Sequence, residues 1–96
     1  MKIALSAQVV DFVHRLAPEP RKLVRHALRD LARGRGDIRP LEAPLDGYCR
    51  LRVHGYRIIF VYGERKSIEC IYAERRSIIY EVFAQLVSDK LAGLPK

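Results

Sequence analysis

The fold is decided by the stretch Tyr48-Cys49-Arg50-Leu51-Arg52-Val53-His54-Gly55-Tyr56-Arg57-Ile58-Ile59-Phe60-Val61-Tyr62, which is typical of two strands joined by a tight turn. Side chains alternate along a strand, so Arg50 and Arg52 share one face. If His54-Gly55 is a two-residue turn, Arg52 lies directly opposite Arg57. Three arginines then converge on one face of the hairpin. Because opposed like charges cost free energy, the cluster suggests that an anion binds there.

The composition is that of one small globular domain, 1–96. The 96 residues are 49% hydrophobic and 30% charged, which excludes a disordered chain. Eighteen basic and 11 acidic residues give a net charge of +7. This charge favours nucleic acid, an acidic protein or an anionic surface as partner, without choosing among them. We find no signal-peptide pattern and no membrane-spanning run, so we expect a cytoplasmic protein without a membrane partner.

Apolar spacing predicts two helices before the hairpin. Ser6 can cap the first, and Pro18 and Pro20 break it while suiting the first turn of the second. Gly34 and Gly36 end the second helix. We expect an antiparallel helical hairpin with one apolar stripe. Its apolar positions are Val9, Val10, Phe12, Val13, Leu16 and Ala17, then Leu23, Val24, Ala27, Leu28, Leu31 and Ala32.

The remaining segments complete the expected order. Residues 2–5 form a short opening strand, and 37–46 form a loop because two prolines and no periodicity occur there. Another strand spans 67–73, and Ser77 can cap a last helix whose apolar stripe includes Leu86. The sequence predicts an α+β fold in the order β-α-α-β-β-β-α. An antiparallel sheet packs on the N-terminal helical hairpin.

Polarity predicts the register of the last strand. If Tyr62 lies opposite Ile68, one sheet face is uniformly apolar and includes Tyr72, and the helices cover that face alone. A slip by one residue would bury Glu69. The same register puts Arg75 on the sheet face that carries Arg50, Arg52 and Arg57, hereafter the arginine face.

Cysteine and metal-ligand patterns point to structural thiols and no cofactor. Cys49 and Cys70 fall in predicted strands and face the predicted core, so we expect buried, reduced thiols. The sequence has no Cys-x-x-Cys, no His-Glu-x-x-His and no carboxylate cluster. No glycine-rich phosphate loop follows a strand. We therefore predict neither a metal site nor a small-molecule cofactor.

Taken together, the helical hairpin and three ordered motifs resemble the RelE/ParE superfamily of toxins from bacterial toxin–antitoxin modules. The motifs are LDGYCRLRV at 45–53, GYRIIF at 55–60 and RRSIIY at 75–80. The resemblance covers most of the chain and implies a fold similar to small microbial RNases. It also implies a cognate antitoxin partner. The RelE branch implies ribosome-dependent, metal-free mRNA cleavage that halts translation, whereas the ParE branch implies inhibition of DNA gyrase.

The resemblance also implies catalytic residues, matched by position. This chain departs from the family by using arginine at both basic positions of the second strand. It also has Ala73-Glu74 where relatives often have glycine followed by histidine or lysine. The matched residues are Arg50, Arg52, Arg57, Arg75 and Tyr80.

Metal-free RNA cleavage needs positive donors around the phosphorane, a proton acceptor and a proton donor. Arginines bind phosphate bidentately but stay protonated. Tyr80, His54 and Glu74 could move a proton, and the resemblance favours Tyr80. We assign Tyr48, His54 and Arg76 to substrate binding, with Tyr48 offering a stacking surface.

Each assignment has a structural alternative. The arginines can form a solvated sheet face, Tyr80 can pack by its ring, His54 can be a turn residue and Glu74 can form an ion pair with Arg75 or Arg76. Three functions stay open on the sequence alone. An mRNA endoribonuclease is favoured over a ParE-like gyrase inhibitor without nuclease activity, and over a non-catalytic module that binds an antitoxin.

Overall fold

The computed structural model describes residues 1–75 and 78–92. No helix in these residues is long and apolar enough to span a bilayer. The strands follow the sheet order β1-β5-β4-β3-β2, in which β1 is parallel to β5 and the other pairs are antiparallel. The elements are β1 (Lys2–Leu5), α1 (Ala7–Arg15), α2 (Pro18–Leu31), β2 (Asp37–Pro40), β3 (Cys49–Val53), β4 (Tyr56–Tyr62), β5 (Ser67–Arg75) and α3 (Ile78–Ala92).

The hairpin predicted from the sequence is confirmed. β3 and β4 pair around a two-residue turn, and Arg52 lies opposite Arg57. His54 opens the turn with a φ of 52°, in the left-handed region. The local alternation and the turn therefore fix which arginines share a face.

The two N-terminal helices begin where their capping signals are. The Ser6 hydroxyl accepts a hydrogen bond of 3.2 Å from the Val9 amide, and α2 begins at Pro18, where a missing N–H costs nothing. Both helices pack on one sheet face. Leu23 is 46% exposed, so its expected place in the apolar stripe is wrong; it faces outward beside the buried Val24. The main core contains Val9, Val13, Leu16, Val24, Leu28, Leu31, Leu51, Val53, Ile58, Phe60, Ile68, Cys70 and Ala73.

The prediction of a loop over 37–46 is wrong at its first residues. Asp37–Pro40 forms β2, an edge strand antiparallel to β3. Ile38 packs against the main core, while Asp37 and Arg39 take the opposite face. Pro40 lacks a donor, and an edge strand tolerates that loss. The observed order therefore has one more strand than expected.

A bulge in β5 changes the predicted register halfway along the strand. The predicted register is confirmed in the first residues of β5, where Phe60 lies opposite Cys70. Ile59 then pairs with Tyr72, so Ile71 is an extra residue on β5. Beyond this point every side chain of β5 lies on the face opposite to the predicted one. Tyr72 is consequently on the arginine face rather than in the main core.

The expectation that the helices cover one sheet face alone is also wrong. α3 packs on the arginine face at the end where Ile59 and Tyr72 lie. Leu45, Ile59 and Phe83 form a second buried cluster there, and the rings of Phe83 and Tyr48 are 5.0 Å apart. Ile59 and the bulge supply apolar side chains to this face, so it too needs a cover. Leu86, expected in the apolar stripe of this helix, is 47% exposed.

Side chains at the start of α1 replace β1 along the bulged part of β5. The pairing of β1 ends where Leu5 meets Cys70. Beyond it, the Ser6 hydroxyl donates to the carbonyl of Ile71 at 2.9 Å. The Gln8 amide then makes two hydrogen bonds to the backbone of Ala73: Nε2 donates to the carbonyl at 2.7 Å, and Oε1 accepts from the N–H at 2.8 Å.

We expect Gln8→Ala to lower the free energy of unfolding by about 1–3 kcal/mol, because the buried Ala73 N–H loses its partner. Gln85→Ala is the matched control, since Gln85 makes an exposed bond to Asp89 within α3. It should change stability by less than about 0.5 kcal/mol. Urea unfolding measures both variants, and equal stabilities would contradict the role given to Gln8.

The Cys70 thiol makes stability fall at high pH. Burial raises its pKa from 9.0 to about 12, so the unfolded chain loses this proton before the folded chain does. The free energy of unfolding therefore decreases between these two pKa values, by roughly 1 kcal/mol at pH 10. Urea unfolding of wild type and Cys70→Ala from pH 8 to 10 isolates this contribution. Identical pH slopes for the two proteins would refute it.

Candidate functional site

The arginine face contains two rows of directly paired residues that cross β2, β3, β4 and β5. In each row, two arginines on neighbouring strands oppose each other. The second row has a carboxylate at both ends, whereas the first continues into the apolar residues beneath α3. The rows are Arg39, Arg50, Ile59 and Tyr72, and Asp37, Arg52, Arg57 and Glu74.

Arg39 is the residue of this cluster that the sequence analysis missed. The neighbouring prolines predict a loop for its segment. The alternation Asp37-Ile38-Arg39, polar–apolar–polar, was the available signal for an edge strand. Arg39 therefore joins Arg50, Arg52 and Arg57 on the arginine face.

Arg50 is fixed in place despite its charge. Arg50 is only 9% exposed, and its Nη1 donates two hydrogen bonds to Asp37. The distances are 2.9 Å to the backbone carbonyl and 3.2 Å to Oδ1 of the carboxylate. A buried charge needs such partners, since desolvation without them is costly.

The other three arginines differ in how far they are held. Arg57 is half-buried, and its Nη1 donates to the carbonyls of His54 at 2.7 Å and Tyr56 at 2.9 Å. Arg39 and Arg52 are exposed, and in residues 1–75 and 78–92 their side chains make no described hydrogen bond or ion pair. Two guanidinium groups are thus anchored and two are free to meet a ligand.

A groove of about 570 Å³ joins the arginine face to the start of α3. Arg39 and Arg50 line one part of it, and Tyr80 and Glu81 line another. Tyr80 and Arg50 therefore line the same groove, and their catalytic roles stay a prediction. Tyr80 also packs by its ring in the second cluster, so the structural alternative for this residue holds at the same time.

The predicted place of Arg75 on the arginine face is wrong. It pairs with Tyr56 on the face of the main core, and its guanidinium carbon lies 5.7 Å from the centroid of the Tyr56 ring. The bulge at Ile71 is the reason, because it exchanges the two faces beyond that residue. Glu74 is on the arginine face instead, opposite Arg57, and its carboxylate accepts from the amide of Arg75 at 3.0 Å.

Two of the three residues assigned to substrate binding, His54 and Tyr48, do not line the groove. His54 is exposed in the turn and lines a separate depression with Arg75 on the other face. Tyr48 lies edge-on to Phe83 in the second cluster. Arg76, like the helix cap expected at Ser77, lies outside the described residues. Their role in substrate binding stays a prediction.

Several groups of the site have defined chemistry. Burial, and to a smaller extent the Glu74 carboxylate, raises the pKa of the Tyr72 hydroxyl, which therefore stays protonated at neutral pH. Over the described part of the chain, no three His, Cys, Asp or Glu side chains come together to hold a metal ion. The arrangement can bind a phosphodiester through several guanidinium groups, with the Tyr80 hydroxyl as a group that can move a proton.

The fold is shared with solved toxin structures. The chain is similar to the RelBE2 toxin–antitoxin complex from Mycobacterium tuberculosis, with a TM-score of 0.66 and 20% identity over 78% of this chain and 96% of that one. The YoeB/ParE toxin from Agrobacterium tumefaciens gives 0.64 and 21%, over 79% and 99%. The RelB–RelE complex from Methanococcus jannaschii gives 0.63 and 19%, over 82% and 96%.

The chain therefore has the fold of the RelE, YoeB and ParE toxins, which confirms the expected α+β class and the resemblance at the level of fold. No family model and no curated protein matches the sequence. The activity must accordingly be argued from the site itself.

The contrast between anchored and free arginines predicts different effects on stability. Arg50→Ala removes two hydrogen bonds of a buried charge and should cost about 2 kcal/mol. Arg52→Ala removes an exposed charge opposite Arg57 and should be neutral or slightly stabilising. Thermal unfolding at low salt compares the two variants. A larger loss for Arg52→Ala would contradict the assignment of Arg50 as the anchored residue.

Proposed function

We propose that this chain is the toxin of a toxin–antitoxin pair and that it cleaves mRNA on the ribosome without a metal ion. One observation carries the proposal: four arginines share one sheet face, and two of them, Arg39 and Arg50, line a groove together with Tyr80. Like charges this close are unfavourable unless an anion joins them, and a phosphodiester fits guanidinium donors. The solved proteins of the same fold are toxins, several in complex with an antitoxin.

The exposed and the anchored arginines have different roles in the proposed reaction. Arg39 and Arg52 are exposed and bind the backbone phosphate. Arg50 and Arg57 are preorganised and stabilise the charge that develops on the phosphorane. The 2′-oxygen of the RNA attacks phosphorus, and the bond to the 5′-oxygen breaks, which leaves a 2′,3′-cyclic phosphate and a 5′-hydroxyl. Tyr80 orients the reacting groups or transfers a proton between them.

The same face gives the antitoxin a target. An antitoxin segment with acidic residues would cover the arginine face and neutralise the charge that binds RNA. The net charge of +7 supports association with such a segment and with ribosomal RNA. The proposed activity takes place in the cytoplasm, where the ribosome is.

Primer extension on a defined mRNA in a translating extract tests the proposal. We expect the wild type to cut inside codons at ribosomes and to leave naked RNA intact. Arg52→Ala, which keeps the fold, should lower the cleavage rate by about 100-fold or more. Tyr80→Phe should lower it by a similar factor if the hydroxyl moves a proton. Arg15→Ala is the charge-matched control, because Arg15 is exposed on α1 and pairs with Asp11.

Intact message in a functioning extract would refute the nuclease, and a gyrase supercoiling assay would then test the ParE-like alternative. Wild-type cleavage by a folded Arg52→Ala variant would remove the phosphate role of the arginine face. Arg75→Ala separates the two sheet faces. Because Arg75 lies on the face of the main core, this variant should keep most of the activity.

A further inference from the structure

We propose that Asp37 is a positioning residue, which fixes the Arg50 guanidinium so that its free edge points into the groove beside Tyr80. The inference rests on the proposed function for its kinetic consequence, although the anchoring itself can be measured without it. Asp37 belongs to β2, the strand that the sequence analysis took for a loop. It contacts Arg50 diagonally across two strands and is not its direct partner in the register.

The anchoring uses one nitrogen of Arg50. Nη1 donates both to the carbonyl of Asp37 at 2.9 Å and to Oδ1 at 3.2 Å. The first bond holds the backbone of β2, and the second makes the ion pair. Because Nη1 donates both bonds, rotation about the Nε–Cζ bond of Arg50 would break the two of them at once.

The other edge of Arg50 is not used by the protein residues that the structure describes. Nε and Nη2 have no hydrogen-bond partner among the described residues. Among the described residues, the one fully buried side-chain nitrogen without a hydrogen-bond partner is Nε of Arg21. Nε and Nη2 of Arg50 therefore each keep some contact with solvent. Arg50 lines the groove that also contains Tyr80. Nε and Nη2 form the edge that binds two phosphate oxygens in parallel.

Electrostatics explains why this anchor is needed. Arg39 lies directly opposite Arg50, and Arg52 is two residues along the same strand. The repulsion among the three guanidinium groups would drive the long Arg50 side chain toward solvent. The Asp37 carboxylate forms an ion pair with Arg50, so it offsets the repulsion that acts on this side chain. Without the Asp37 carboxylate, Arg50 would keep its charge but lose its fixed orientation.

Kinetics of Asp37→Ala and Asp37→Asn test the positioning. We expect Asp37→Ala to lower the cleavage rate at saturating RNA by about 10- to 100-fold, because misplaced groups cost this much. The RNA concentration for half-maximal rate should change little, since Arg39 and Arg52 still bind phosphate. Asp37→Asn keeps an oxygen acceptor and should recover part of the rate. In an Arg50→Ala background, Asp37→Ala should have no further effect.

The control is Asp11→Ala, which removes an equal charge and frees Arg15 from an exposed ion pair of 2.9 Å on α1. It should leave the rate unchanged. A folded Asp37→Ala variant with the wild-type rate, or one that slows the Arg50→Ala enzyme further, would overturn the proposal.

A second readout does not depend on cleavage. In the nitrogen-15 NMR spectrum at low temperature, the Nη groups of Arg50 should give separate signals in the wild type. These signals should merge in Asp37→Ala, as rotation about Nε–Cζ becomes fast. If the wild type does not cleave mRNA, the proposed function fails, and this spectrum still decides the role of Asp37. Separate signals that persist in Asp37→Ala would refute the anchor.

Discussion

One extra residue in β5 decides which side chains share each face of the sheet. Ile71 interrupts the pairing between β4 and β5, and every residue after it changes sides. The change puts Glu74 at the edge of the arginine face and sends Arg75 to the face of the main core. β1 ends at Leu5, opposite Cys70 and just before the bulge, and the side chains of Ser6 and Gln8 complete the hydrogen bonds of β5 beyond it.

Charge balance on the arginine face follows from the same pairing. Four arginines lie on three neighbouring strands, and the carboxylates of Asp37 and Glu74 flank the second row. This arrangement allows a folded protein to keep four like charges close together, and under the proposed function the same charges attract phosphate. Two arginines are held by protein acceptors and two face solvent, so a ligand meets both preorganised and adaptable donors. α3 covers the apolar end of the face and borders the groove.

The sequence predicts those parts of the fold that depend on neighbours along the chain. The hairpin around His54-Gly55, the cap at Ser6 and the helix start at Pro18 are local and were confirmed. The strand at Asp37–Pro40 was missed because two prolines in this segment are typical of a loop, although an edge strand tolerates a proline. The polar–apolar–polar alternation of this segment was visible in the sequence, but the prolines outweighed it.

The bulge could not be read from alternation. Because side chains alternate between the two faces, a register error persists along the rest of the strand. The residue types around Ile71 give no sign of an extra residue. The prediction for Tyr72 and Arg75 was wrong for this reason alone. Arg50, Arg52 and Arg57 were gathered correctly because all three lie before the bulge. A candidate site is thus predictable where it depends on one hairpin, and less so where it depends on long-range pairing.

The central claim is that phosphate binds the arginine face and not the opposite one. The most direct measurement is an NMR titration of the arginine Nε–H signals with a short single-stranded RNA that carries 2′-O-methyl groups and cannot be cleaved. We expect the signals of Arg39, Arg50, Arg52 and Arg57 to shift together with one binding constant, while that of Arg75 stays unchanged. Shifts confined to Arg75 and its neighbours on α1 would contradict the account.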